Sequence, residues 1–106
     1  MKAIFTVGKI YPLKQGENLR GDWKNLDVVL RNDEEVFFGD GTKCNVTDLI
    51  AIRLRGEKAD KFLREVKAGM RIEAVIRPNC EEKVSRDGAT YAANDFVFSC
   101  PEWRVV

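Results

Sequence analysis

The stretch Leu49–Gly69, LIAIRLRGEKADKFLREVKAG, changes its hydrophobic period at Gly56. Before the glycine, apolar residues alternate with other residues, which predicts a strand over 49–55. Its inward residues are Ile50, Ile52 and Leu54. After the glycine, apolar residues recur at the spacing of one helical face, and Gly69 supplies a left-handed stop; these residues are Ala59, Phe62, Leu63 and Val66. The stretch therefore predicts a strand followed directly by one amphipathic helix.

Four further segments have the alternation or the β-branched composition of strands; they are Lys2–Tyr11, Trp23–Arg31, Met70–Arg77 and Tyr91–Ser99. Gly8 interrupts the first of them, and a glycine inside a strand predicts a bulge. Between the strands we expect a polar loop over 14–22, an inserted hairpin over 35–46 and a polar hairpin over 78–90.

This order is three strands, one helix and two strands. Short strands with one helix between the third and the fourth are typical of the OB-fold, a partly open five-stranded Greek-key barrel. The predicted fold class is therefore all-β with one helix, with an extra hairpin between the second and third strands. We expect one domain over 1–106, because 106 residues is the size of a single domain.

The composition excludes several kinds of chemistry. The chain has 18 basic and 17 acidic residues, a net charge of +1 and no histidine. Without imidazole there is no histidine base and no histidine-containing zinc site, and no set of carboxylates marks a two-metal site. We therefore predict no enzymatic activity, no cofactor and no metal. Because the net charge is near zero, any binding of nucleic acid must come from the local placement of Arg and Lys.

Two features bear on the cellular compartment. No stretch approaches the roughly 20 apolar residues of a transmembrane helix, and Gly8 and Pro12 come too early for a signal peptide. We expect a cytoplasmic protein. The three cysteines lack CxxC spacing and are predicted to be buried, reduced thiols; they are Cys44, Cys80 and Cys100.

Three segments resemble bacterial single-stranded DNA-binding proteins. Residues 47–60, TDLIAIRLRGEKAD, resemble the third strand and helix entry of that family, and residues 67–74, KAGMRIEA, resemble its step into the fourth strand. Residues 21–25, GDWKN, are similar to short bacterial relatives of unassigned function that consist of this barrel alone. The resemblance implies an OB-fold that binds single-stranded DNA in replication or repair. It also implies pairing of the first strand, over 2–7, with a second copy.

The resemblance and the strand parity together predict a nucleic-acid interface. Base stacking is assigned to Trp23 and Tyr91. Phosphate contacts are assigned to outward or loop cations, namely Lys24, Arg53, Arg55, Arg71, Arg77 and Arg86. The family places base-stacking aromatic residues on its third strand, where this chain has Leu49 and Arg55. The sequence does not distinguish DNA from RNA.

Each assignment has a structural alternative. Trp23 could close one end of the barrel, and the outward Arg residues could form a solvated surface paired with Asp27 and Glu73. The rival function is a protein-interaction or assembly module that binds no nucleic acid. It is motivated by the adjacent Phe37 and Phe38, of which one should be exposed unless a partner subunit covers it. A homodimer or larger assembly is expected.

Overall fold

The computed structural model describes residues 1–78, 80–94 and 97–106, and for residues 80–84 and 90–94 it describes the backbone alone. Within this part, the chain forms eight strands and one helix: β1 Lys2–Ile10, β2 Lys14–Asn18, β3 Gly21–Phe37, β4 Lys43–Arg55, α1 Glu57–Glu65, β5 Arg71–Arg77, β6 Cys80–Val84, β7 Thr90–Asn94 and β8 Phe98–Val105. Among the described residues, no helix has the length and hydrophobicity needed to cross a membrane.

Six strands form one sheet in the order β1-β5-β8-β4-β3-β2, and β1 also pairs with β3, which closes the sheet. β1 makes this possible by changing partner: residues Lys2–Thr6 pair with β5, and residues Thr6–Ile10 pair with β3. The register shifts between Val7 and Lys9, so the bulge predicted at Gly8 is confirmed. The strands β1, β3, β4, β5 and β8 form an OB-fold barrel with α1 between β4 and β5, as the sequence predicted.

The core is one cluster of buried side chains from the barrel strands and α1. Its largest members are Phe5, Phe62, Leu26, Leu30, Ile52, Leu54, Ile72 and Ile76. The helix contributes Ala59 and Phe62, which confirms its predicted apolar face. Cys100 is also buried, and the burial raises the pKa of its thiol to about 11, so the thiol stays protonated at neutral pH. Cys44 is half-buried, and the side chain of Cys80 lies outside the described part.

The predicted polar loop over 14–22 is wrong. Residues Lys14–Asn18 form β2, which pairs with the beginning of β3 from Lys14↔Asn25 to Asn18↔Gly21. The turn is closed by the Asn18 side chain, which accepts a hydrogen bond from the Arg20 N–H, and by Gly21 at φ 113°. No alternation of apolar residues marks this strand, because an exposed edge strand needs none.

The predicted hairpin over 35–46 is present, but it is not a separate insertion. β3 and β4 pair continuously from Asn25↔Arg55 to Phe37↔Lys43, so the barrel strands themselves extend into a two-stranded arm, residues 32–48. The radius of gyration is 17.1 Å, against about 13 Å for a compact chain of this length. Phe37 and Phe38 are 65% and 58% exposed, so both are exposed rather than one.

The predicted fifth strand, Tyr91–Ser99, is also wrong. Residues Thr90–Asn94 pair with β6 as a separate hairpin, and the last barrel strand is Phe98–Val105. Pro101 cannot donate a ladder hydrogen bond. In the structure Pro101 lies at the irregularity in the β5–β8 pairing, where no ladder bond is lost. Phe96, which belongs to the predicted strand Tyr91–Ser99, lies outside the described residues.

Candidate nucleic-acid interface

The outer face of β3 and β4 is the side turned away from the core. Directly paired residues on antiparallel strands lie on the same face, and Asn25 pairs with Arg55 while Asp27 pairs with Arg53. All four side chains therefore alternate with the buried residues of these strands. The row continues across the sheet, because Arg53 pairs with Ser99 on β8 and Ser99 pairs with Arg77 on β5. The structure thus brings three of the predicted cations, Arg53, Arg55 and Arg77, to neighbouring positions.

Arg53 is held by Asp27 through two hydrogen bonds. Its Nε lies 2.7 Å from Oδ1 and its Nη2 lies 3.2 Å from Oδ2, with both side chains about one-third exposed or less. This bond, helped by the charges of Arg53 and Lys14, lowers the pKa of Asp27 from its ordinary value of 3.8. Part of the Arg53 charge is therefore already matched by a carboxylate.

A basic cleft lies beside this pair, between the end of β4, the first turn of α1 and β8. Its volume is about 250 Å³, and its charged lining residues are Arg53, Arg55 and Lys58. No carboxylate occurs among the described lining residues, and Phe98 and Pro101 supply an apolar wall. The Lys58 Nζ donates a hydrogen bond of 2.8 Å to the Pro101 carbonyl, which holds the ammonium at the rim. The cleft therefore has positive charge for a phosphate and an apolar wall for the aromatic face of the adjoining base.

Trp23 lies on the outer face, two residues before Asn25, as its parity predicted. The side chain is 38% exposed and is not part of the core cluster. It pairs with Gly16 on β2, and a Cβ built on Gly16 would lie 2.9 Å from the indole atoms Cε2, Cζ2 and Nε1. The indole therefore occupies the space above Gly16 on the outer face rather than a place in the core.

Three residues on or beside the outer face have no counterpart among the predicted site residues. Tyr11 continues the β1–β3 ladder, because its N–H donates to the Asp27 carbonyl at 3.0 Å, and its ring lies 4.5 Å from the Lys9 ammonium. Lys14 pairs with Asn25 and lies close enough to Asp27 to lower its pKa. Lys58 belongs to α1. No sequence pattern marks Tyr11 or Lys58 as part of this surface, and Lys14 belongs to the segment that was predicted to be a loop.

Two predicted cations lie elsewhere. Lys24 has the opposite parity to Trp23, and its Nζ bonds the Asp60 carboxylate of α1 at 2.9 Å. Arg71 pairs with Thr6, which also pairs with Arg31, so it lies in a separate small cleft at the other end of β5. Arg77 lies six positions further along β5, a distance of about 20 Å. Strand parity correctly predicted that Arg71 points outward, but parity contains no information about its position along the barrel.

The remaining two predicted residues belong to the β6–β7 hairpin. Arg86 is exposed in the turn that joins the two strands, where the Ser85 N–H donates to the Ala89 carbonyl and the Ser85 hydroxyl bonds Asp87. The side chain of Tyr91 lies outside the described part of the chain. Their role in binding stays a prediction.

The barrel, its helix position and its outer face define an OB-fold protein, and comparison with solved structures agrees. The chain aligns with the protein PriB from Ralstonia solanacearum at a TM-score of 0.64 and 13% identity, covering 99% of this chain and 94% of that one. It aligns with a small single-stranded DNA-binding protein from Streptomyces coelicolor at a TM-score of 0.59 and 10% identity, covering 100% and 92%.

A third similar structure is the single-stranded DNA-binding protein from Thermus aquaticus, with a TM-score of 0.60 and 14% identity. The alignment covers 100% of this chain and 50% of that one. No protein-family model matches the sequence, and no curated protein matches it significantly. At these identities the likeness establishes the OB-fold.

Proposed function

We propose that this protein binds single-stranded DNA on the outer face of β3 and β4 and has no enzymatic activity. The observation that carries the proposal is the basic cleft, whose lining combines Arg53, Arg55 and Lys58 with an apolar wall and no described carboxylate. OB-folds bind oligonucleotides on the equivalent face, formed by their second and third strands. Two of the similar structures are single-stranded DNA-binding proteins by name, which supports the same ligand here.

The proposed roles follow from the geometry. Arg55, Lys58 and Arg77 contact phosphates, while Trp23 and Tyr11 offer aromatic surface to the bases on the same outer face. Stacking accepts any base, so the sequence preference is weak. The affinity is modest because Asp27 shares the charge of Arg53 and the net charge is only +1. The hairpin residues Arg86 and Tyr91 add contacts from one side.

Fluorescence titration with a dT oligomer of about 30 nucleotides over a range of salt concentrations tests the proposal. We expect the tryptophan emission to be quenched and the association constant to fall steeply with salt, because each phosphate contact releases a counterion. A matching rU oligomer shows whether RNA binds as well. Unchanged tryptophan emission with both oligomers at low salt would rule the proposal out.

A second candidate function is protein interaction or assembly, and the β3–β4 arm favours it. Four large apolar side chains are exposed on this arm, namely Val36, Phe37, Phe38 and Val46, and Leu49 is exposed directly beside it. Over residues 2–5, β1 is bonded to β5 on one edge and has no described strand partner on the other. A homodimer could use either feature. Co-purification of a protein partner free of nucleic acid would favour this function over the first.

A further inference from the structure

A second surface with cations and an aromatic ring lies between α1 and β8. Lys58, Lys61 and Arg64 follow one another at intervals of three residues and line a cleft of about 550 Å³ together with Trp103. Three helical residues span about 4.5 Å along the axis, so the cations form a regular series along α1. The same cleft also contains Glu57 and Glu102, so its positive charge is smaller than that of the basic cleft.

Trp103 is held in a fixed orientation at this surface. Its Nε1 donates a hydrogen bond of 3.1 Å to the Glu65 carboxylate, and the Phe62 ring meets it edge-on at 5.3 Å. The ammonium of Lys61 lies 5.3 Å from the indole centroid. The side chain is half-buried, so part of the ring remains accessible to a ligand. An aromatic ring whose orientation is already fixed loses little conformational entropy when a base stacks on it.

The two clefts are continuous. Lys58 and Pro101 line both of them, and the series of cations at Lys58, Lys61 and Arg64 begins three residues after Arg55. We propose that a single strand leaves the basic cleft at Lys58 and runs along α1, with Lys61 and Arg64 on its phosphates and Trp103 as a second stacking residue. This inference rests on the proposed function, since it extends the path of the same strand. Lys61 moves from the indole to a phosphate when the strand is bound.

The chain has two tryptophans, Trp23 and Trp103, so single-tryptophan variants report the two places separately. Trp103→Phe leaves Trp23 as the reporter, and Trp23→Phe leaves Trp103. Each variant is titrated with dT oligomers of about 5 and about 16 nucleotides, which span the site sizes of OB-folds. We expect the short oligomer to quench Trp23 alone and the long oligomer to quench both residues.

Removal of charge gives an independent readout. In the Trp23→Phe background, Lys61→Ala with Arg64→Ala should abolish the quenching of Trp103. In the otherwise unchanged protein, the same pair should reduce the slope of log K against log salt by about 1.4. The control, Lys43→Ala, removes a cation from the β3–β4 arm, where its Nζ bonds the Glu35 carboxylate, and should leave the slope unchanged. Thermal melts of all variants verify that each one is folded.

The outcomes separate the inference from the proposed function. If the emission of Trp23 is quenched while that of Trp103 is unchanged with every length of oligomer, the inference is overturned and the proposed function stands. If the short oligomer quenches Trp103 as strongly as the long one, the two clefts are not consecutive parts of one path, and the inference also fails. An equal loss of slope in the arm control likewise overturns it. If neither tryptophan responds, the proposed function fails as well.

Discussion

Asp27 on β3 and Arg53 on β4 lie directly opposite each other on the outer face and are joined by hydrogen bonds of 2.7 and 3.2 Å. The pair stands in the row that continues through Ser99 to Arg77. A carboxylate at this position competes with phosphate for the Arg53 guanidinium and repels a polyanion. The pair therefore limits the affinity of the proposed interface.

Asp27→Asn should strengthen the binding of single-stranded DNA. The change removes one negative charge from the outer face and the carboxylate that competes with phosphate for Arg53, which is worth about 0.2–1 kcal/mol, the scale of one exposed ion pair. The slope of log K against log salt should steepen by about 0.7 if Arg53 gains one phosphate contact. Asp33→Asn makes the same charge change on the arm, where Asp33 bonds Arg31 and Thr47. Equal gains in both variants would show that only net charge matters.

The same pair predicts a pH dependence of stability. The pKa of Asp27 is lower in the folded chain than its ordinary value, because Arg53 hydrogen-bonds the charged form. The Asp27–Arg53 pair therefore contributes fully to the free energy of unfolding above the pKa of an unfolded aspartate, about 3.9. This contribution is lost as the pH falls through the lower pKa of Asp27 in the folded chain. We expect the stability difference between the native protein and Asp27→Asn to be constant above about pH 5 and to shrink below about pH 4. Thermal melts from pH 2 to pH 7 measure it.

Three other aspartates also have lowered pKa values, namely Asp33, Asp40 and Asp87. Their contributions to stability are the same in the native protein and in Asp27→Asn, so they cancel in the difference between the two. The effect should be below about 1 kcal/mol, because the pair is partly exposed. A difference that stays constant down to pH 2 would contradict the assigned cause.

Trp23→Ala should weaken the binding of single-stranded DNA by about 1–3 kcal/mol, the value of one stacked base. Its effect on the free energy of unfolding should be smaller than the roughly 3–5 kcal/mol of a buried aromatic residue, because the indole is 38% exposed. A titration and a thermal melt of the same variant measure both quantities. A large loss of stability with unchanged binding would make Trp23 a structural residue.

Gly16→Ala provides a variant that keeps the indole but moves it. The added Cβ would lie 2.9 Å from three indole atoms, so the ring must shift. We expect weaker DNA binding in the direction of Trp23→Ala. Gly39→Ala is the matched control, because no atom lies within 4 Å of the added Cβ and its φ is not in the left-handed region. It should bind like the native protein.

Self-association through the arm predicts a molar mass above 12.1 kDa in light scattering. Phe37→Ser with Phe38→Ser should lower this mass, because the two exposed rings are removed from the β3–β4 arm. Leu19→Ser removes an exposed apolar side chain from the β2–β3 turn and should leave the mass unchanged. A 12.1 kDa species at every concentration of the native protein would refute self-association.

The sequence by itself determined the helix and four of the five barrel strands, β1, β3, β4 and β5. The change of period at Gly56 placed β4 and α1, and the alternation of Leu26, Val28 and Leu30 placed the buried face of β3. These predictions succeeded because each depends only on which side of one strand or helix is buried. The local pattern of apolar residues along the sequence indicates that side. The outward parity of Trp23 and Arg53 was predicted for the same reason.

Only the tertiary structure decided which outward residues meet. Arg77 lies in the same row as Arg53 because β8 pairs with both β4 and β5. Arg71 is equally outward, but it lies about 20 Å from Arg77 along β5. Tyr11 reaches Asp27 only because β1 pairs with β3 from Thr6 onward and shifts register at the Gly8 bulge. Local patterns carry no information about strand order or about a bulge's effect on register. The neighbours of each outward side chain therefore depend on how the barrel closes.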